Sequence, residues 1–102
     1  MQTNWVYSTF QNDSDYAELL TFYVEEIPLI GSQLIELGKS RAFDDLRKEA
    51  HKLRGSAGGF GFPGVSDLAG RLEDSCRNPE RDMDTILRSL DDLLEYLKRV
   101  RA

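Results

Sequence analysis

The segment Ala50 to Gly64, AHKLRGSAGGFGFPG, brings together the chain's single histidine, several cations and a run of glycines. A neutral imidazole nitrogen is a nucleophile near neutral pH, and a cation three residues further on can screen the negative charge of an incoming phosphoryl group. His51 and Arg54 have that spacing. Arg47 and Lys48, one helical turn earlier, add positive potential that would attract an acidic partner. At about 100° per residue, His51 falls roughly 130° around a helix from the mean direction of the neighbouring apolar residues, so it is expected to face water. Asp44, Arg47, Lys48, Arg54, Gly55 and Gly58 share its side.

Glycine inside a helix costs about 1 kcal/mol relative to alanine. Gly55 points almost directly away from the apolar stripe, so close approach by a neighbouring helix is a poor account of it. A better one is a partner that brings its surface up to His51, which side chains at Gly55 and Gly58 would block. Gly59, Gly61 and Gly64 spell G-x-G-x-x-G. That fingerprint binds nucleotides only between a strand and a helix of a parallel sheet, and here it follows a helical pattern. These three glycines are read instead as ending one helix and helping to begin the next. One histidine and one distant cysteine make no metal-ligand cluster. There is no second histidine for a hydrolase triad, and Ser56 lies on a different helical face from His51.

The elements that carry these residues follow from apolar spacing in steps of three and four. Tyr16, Leu20, Tyr23, Ile27, Ile30, Leu34 and Leu37 predict a long first helix, capped by Asp13, Ser14 and Asp15, kinked near Glu25 to Pro28 and stopped by Gly38. Ser40 is expected to cap a second helix with Phe43, Leu46, Ala50, Leu53, Ala57 and Phe60 inward, ending among Gly58 to Gly61. Pro63 opens a third, bearing Val65, Leu68, Leu72 and Cys76 and stopping before Asn78-Pro79. Asp82 caps a fourth, with Met83, Ile86, Leu90, Leu93, Leu97 and Val100 inward. No segment alternates with period two long enough for a sheet. The expected fold is all-α, an antiparallel four-helix bundle over residues 13–101 preceded by an N-terminal arm, 1–12, whose Trp5, Val6, Tyr7 and Phe10 pack across it.

With 102 residues and 40% hydrophobic content the chain can fill one core, so a single domain is expected. No apolar run approaches the roughly 20 residues that span a bilayer, and the N-terminus lacks a basic segment followed by an apolar one. No membrane association and a cytoplasmic location are expected. A net charge of -5 argues against a general nucleic-acid surface. The lone Cys76 fits an apolar pattern as a packed thiol.

AHKLRGSAGGFG, followed by LAGRLE at Leu68 to Glu73, resembles the histidine-containing phosphotransfer (HPt) domains of bacterial phosphorelays. In that family the histidine is followed by an apolar residue two on, Lys or Arg three on, glycine four on and then small residues. His51, Leu53, Arg54, Gly55, Ser56 and Ala57 match in turn. Arg54 stands where lysine is commoner, keeping the charge but replacing a compact ammonium by a planar fork. The resemblance runs from about Asp13 to the C-terminus. It implies a phosphoryl carrier without an ATP-binding core. His51 would accept a phosphoryl group from a receiver-domain aspartyl phosphate, through the ring nitrogen farther from the backbone, and pass it to another receiver. Arg54 would steady the phosphoryl group, Gly55 would let the receiver dock, and Gly58, Arg47 and Lys48 would contribute to docking. It also implies receiver domains of a hybrid sensor kinase or response regulator as partners, no cofactor of its own, magnesium held by the receiver, and a monomer. The alternative is a four-helix adaptor that binds a response regulator or other protein without receiving phosphate. A phosphoacceptor domain cut from a larger kinase is a third form; the initial methionine favours a free-standing protein.

Overall fold

The computed structural model describes residues 4–102. Four helices follow in chain order: α1, Ala17–Lys39; α2, Phe43–Gly59; α3, Pro63–Arg77; and α4, Met83–Leu97. Each packs on the next, and α4 returns to α1, so the helices form an all-α four-helix bundle. The connections at 40–42, 60–62 and 78–82 are short, as neighbours in such a bundle require.

The core is built from the spacings read above. Leu20, Tyr23, Ile27 and Leu34 from α1, Leu46, Ala50, Leu53 and Ala57 from α2, Val65, Leu72 and Cys76 from α3, and Ile86, Leu90, Leu93 and Leu97 from α4 are all buried. Phe62, in the α2–α3 connection, is wholly buried, and Tyr23 stacks between it and Phe60. Burial raises the Cys76 thiol pKa, and the charges of Arg81 and Arg47 only partly offset this, which suits a packed side chain. Pro28 lies within one unbroken helix rather than between two.

Several helix ends differ from expectation. Tyr16, not an acidic residue, occupies the N-cap of α1 and makes no side-chain cap; Asp13 Oδ1 instead accepts the Asp15 N–H in the turn that leads in. Gly38 does not stop α1. It is buried inside the last turn, where a Cβ would come 2.6 Å from Leu90 Cδ2, so its smallness serves packing against α4. The left-handed residue after the helix is Arg41, with φ 58°. Ser40 caps backwards: its hydroxyl donates to the Glu36 and Leu37 carbonyls, while Ala42 is the N-cap of α2 and offers no side-chain cap. Met83, expected inward, is 42% exposed because it sits in the first turn of α4, ahead of the packed stripe. Asp82 caps α4 as expected, accepting from the Asp84 N–H.

The arm crosses the end of the bundle. Val6 pairs with the chain's C-terminal segment, donating to the Arg99 carbonyl and accepting from the Arg101 N–H. Ser8 Oγ donates to the Phe60 carbonyl and Thr9 N–H to that of Gly61. Gly61 has φ +81°, and a Cβ there would fall within 2.6 Å of both the Ser8 and Thr9 hydroxyls, so glycine is needed twice over. Val6 and Phe10 pack on the core as expected, but Trp5 and Tyr7 remain almost half exposed, Trp5 lying under the Arg101 guanidinium at 3.9 Å. Residues 1–3 of the predicted arm lie outside the described residues.

Candidate functional site

His51 stands midway along α2 on the side away from the core, its side chain 69% exposed. It is not a lone surface histidine. Its Nδ1 lies 2.8 Å from Oε2 of Glu73 on α3, a carboxylate whose side chain is only 1% exposed. Two guanidinium groups meet the same carboxylate: Arg77 Nη2 at 2.7 Å from Oε2 and Arg54 Nη1 at 3.4 Å from Oε1. Burial alone would raise the Glu73 pKa, but the hydrogen bonds of His51 and Arg54, with the charge of Arg77, outweigh it and hold the carboxyl below its ordinary value. Glu73 is therefore an anion at neutral pH.

An ionised carboxylate can only accept hydrogen bonds, so a neutral imidazole facing it carries its proton on Nδ1. That leaves the Nε2 lone pair free on the exposed side of the ring. Glu73 thus selects the tautomer, and the fold points the nucleophilic nitrogen outward.

Small residues shape the surroundings. At Gly55 a Cβ would meet nothing within 4 Å, so no packing within this chain calls for glycine there. Gly59 is equally open. At Gly58 a Cβ would touch Ser66 Oγ at an ordinary 3.6 Å, which places this glycine beside the start of α3. Arg54 lies across α3 at Gly70, where a Cβ would come 3.3 Å from its Nε. Ser66 Oγ, also on α3, donates to the Arg54 carbonyl at 2.8 Å. At the far side of α2, Ser56 shares a hydrogen bond with Tyr23 of α1.

The structure brings His51 and Arg54 together through Glu73. Arg47 and Lys48 remain a turn away, and among the described residues neither side chain makes a hydrogen bond or ion pair. Sequence reasoning missed Glu73, Gly70 and Arg77 as parts of the site. A signal was present: Glu73 is four residues from Ala69 and three from Cys76, on the edge of the stripe that α3 buries, with Arg77 four residues on. Among the described residues no group of His, Cys, Asp and Glu is arranged to hold a metal ion.

A family model described as Hpt domain matches residues 18–102. The chain belongs to the HPt domain family. HPt domains are phosphoryl carriers of phosphorelays and interact with receiver domains there. Comparison with curated proteins and with solved structures returns no significant match. No helix among the described residues of this HPt domain is long and apolar enough to cross a membrane.

Proposed function

We propose that His51 is the phosphoacceptor of this HPt domain, taking a phosphoryl group from a receiver-domain aspartyl phosphate and passing it to another receiver's aspartate. The observation that carries this reading is the 2.8 Å contact between His51 Nδ1 and buried Glu73, which in the neutral ring keeps the proton on Nδ1 and the lone pair on Nε2 of a largely exposed side chain. In the transfer step the Nε2 lone pair attacks phosphorus, the N–P bond forms and the P–O bond to the aspartate breaks, returning a carboxylate to the donor. The Nδ1 proton stays where it is. The phosphorylated ring is then an imidazolium whose positive charge faces the Glu73 carboxylate, so no proton has to move in either direction. Reverse transfer expels a neutral imidazole, a good leaving group. That is what a carrier needs.

Arg54 is one helical turn from His51 with its side chain 53% exposed, placed to offset phosphoryl charge. Gly55, with open space above it, leaves room for the receiver's surface, and Gly58, Arg47 and Lys48 extend that docking face. Magnesium and most of the catalytic groups belong to the receiver on this reading. The protein works as a cytoplasmic monomer of a bacterial relay, as a single domain without a cofactor.

The competing adaptor reading requires only a docking surface and leaves the Glu73 contact unused. Incubation with phosphorylated receiver domains, comparing wild type with His51→Gln, separates the two. Acid-labile, base-stable label on the wild type and none on His51→Gln is the expected result. Failure of both proteins to take up label from every receiver of the source organism would overturn the phosphoacceptor role.

A further inference from the structure

Glu73 has two arginines where one would neutralise it, and the two are held unequally. Arg77 reaches it from the same helix, four residues on, and bonds at 2.7 Å to the oxygen that also faces His51 Nδ1. Because both residues ride on one face of α3, that pair is independent of small movements between α2 and α3. Arg54 reaches the other oxygen from α2 at 3.4 Å, a longer and weaker hydrogen bond than that of Arg77. Its side chain lies close over Gly70 of α3, where a Cβ would crowd it, and more than half of it is open to solvent.

We propose that Arg77 is the positioning residue of the site: it neutralises the Glu73 carboxylate and aims it at His51 Nδ1, leaving Arg54 free to turn from Glu73 to a phosphoryl group on Nε2. This deepens the phosphoacceptor reading and rests on it. A single arginine could not do both. Were Arg54 the only guanidinium on Glu73, moving it to the phosphoryl group would strip a cation from a buried carboxylate. With Arg77 in place the carboxylate keeps its shortest ion pair throughout. Arg77 never touches the transferred group and acts through Glu73 and the imidazole.

The test uses the full chain with Arg77→Gln, Arg77→Lys and Arg54→Gln, each first checked for native helix content by circular dichroism. Nitrogen-15 NMR of the His51 ring reads the tautomer without any phosphorylation. Wild type, Arg77→Lys and Arg54→Gln should hold the proton on Nδ1, while Arg77→Gln should shift a substantial fraction to Nε2. Phosphorylation by potassium phosphoramidate should slow about tenfold in Arg77→Gln, the loss of one charge-assisted hydrogen bond, and recover in Arg77→Lys. An unchanged tautomer in Arg77→Gln, or an equal change in Arg54→Gln, overturns the assignment. If phosphoramidate leaves wild-type His51 unlabelled, the phosphoacceptor reading fails instead, while the tautomer comparison still decides what Arg77 does to the ring.

Discussion

The α2–α3 seam and the α1–α4 seam of the bundle are closed in opposite ways. Between α2 and α3, the missing side chain of Gly70 leaves room for Arg54 to lie over it, and the seam buries a carboxylate with cations from both sides. Between α1 and α4, Val24, Pro28, Gly31, Ile35 and Leu94 line an apolar groove of about 710 Å³ that stays open. On α1, Leu19, Phe22 and Leu29 are more than half exposed. Charge divides along the same line. The α1 and α4 helices carry eight acidic residues against Lys39 and Arg88, whereas α2 and α3 are balanced and place Arg54 and Arg77 beside His51. The net negative charge therefore belongs mainly to helices other than those of the histidine, and on the proposed reading a phosphoryl group would approach His51 past cations. One seam leaves apolar surface uncovered above the common core; the other spends stability on polarity and missing side chains to hold one ring in one state.

That contrast can be broken in three places. The largest effect is expected from Leu34→Ala on α1: emptying a wholly buried leucine site should cost about 2–5 kcal/mol in denaturant unfolding. Phosphoryl uptake per folded molecule should stay at the wild-type rate; a slower rate would mean that the two seams are coupled. Glu73→Gln should cost less, about 1.5–3 kcal/mol at neutral pH, because it weakens charge-assisted hydrogen bonds without removing their shape. Its signature is in acid. Since the folded state lowers the Glu73 pKa, the stabilisation is complete above the ordinary value of 4.5 and is lost as pH falls below it. Unfolding curves from pH 6 to 3 should therefore slope less steeply in Glu73→Gln, and an identical slope would contradict the assigned charge. The smallest change in stability is expected from Gly55→Leu, which meets open space and should gain about 0.5–1 kcal/mol through helix propensity. Transfer from a receiver should slow in that variant while phosphoramidate labelling does not. Normal receiver kinetics would remove docking as the reason for this glycine.

Much of the scaffold could be read from spacing, because a stripe that recurs every three or four residues has one economical way to be buried. The exposed position of His51 followed from the same geometry. The helix ends were harder. Ser40 stands between two helices and can cap either, and the left-handed turn at Arg41 decided in favour of the one before it. Gly38 looked like a terminator because a sequence does not show that Leu90 will press against it from α4. Glu73 was hidden for the same reason. A charged residue beside an apolar stripe reads as solvated until its counter-ions arrive, and two of its three partners come from another helix. What was legible is what one helix determines alone.

The pairing of Val6 with the C-terminal segment has a consequence in time. His51 and Glu73 are 22 residues apart, joined through the short connection at 60–62, whereas Arg99 reaches the Asn4 carbonyl across 95 residues. Closing the longer loop costs about 1 kcal/mol more in chain entropy, and its return is one isolated bridge, the bonds of Ser8 and Thr9 to the 60–62 connection and the packing of Val6 and Phe10 on the core. Residues 4–10 and 98–101 are thus expected to pair after the α2–α3 hairpin has closed. The α2–α3 hairpin, with its low contact order, can assemble early and remain shut while the arm comes and goes. On the proposed reading, the chemistry sits in a hairpin held by contacts close in sequence.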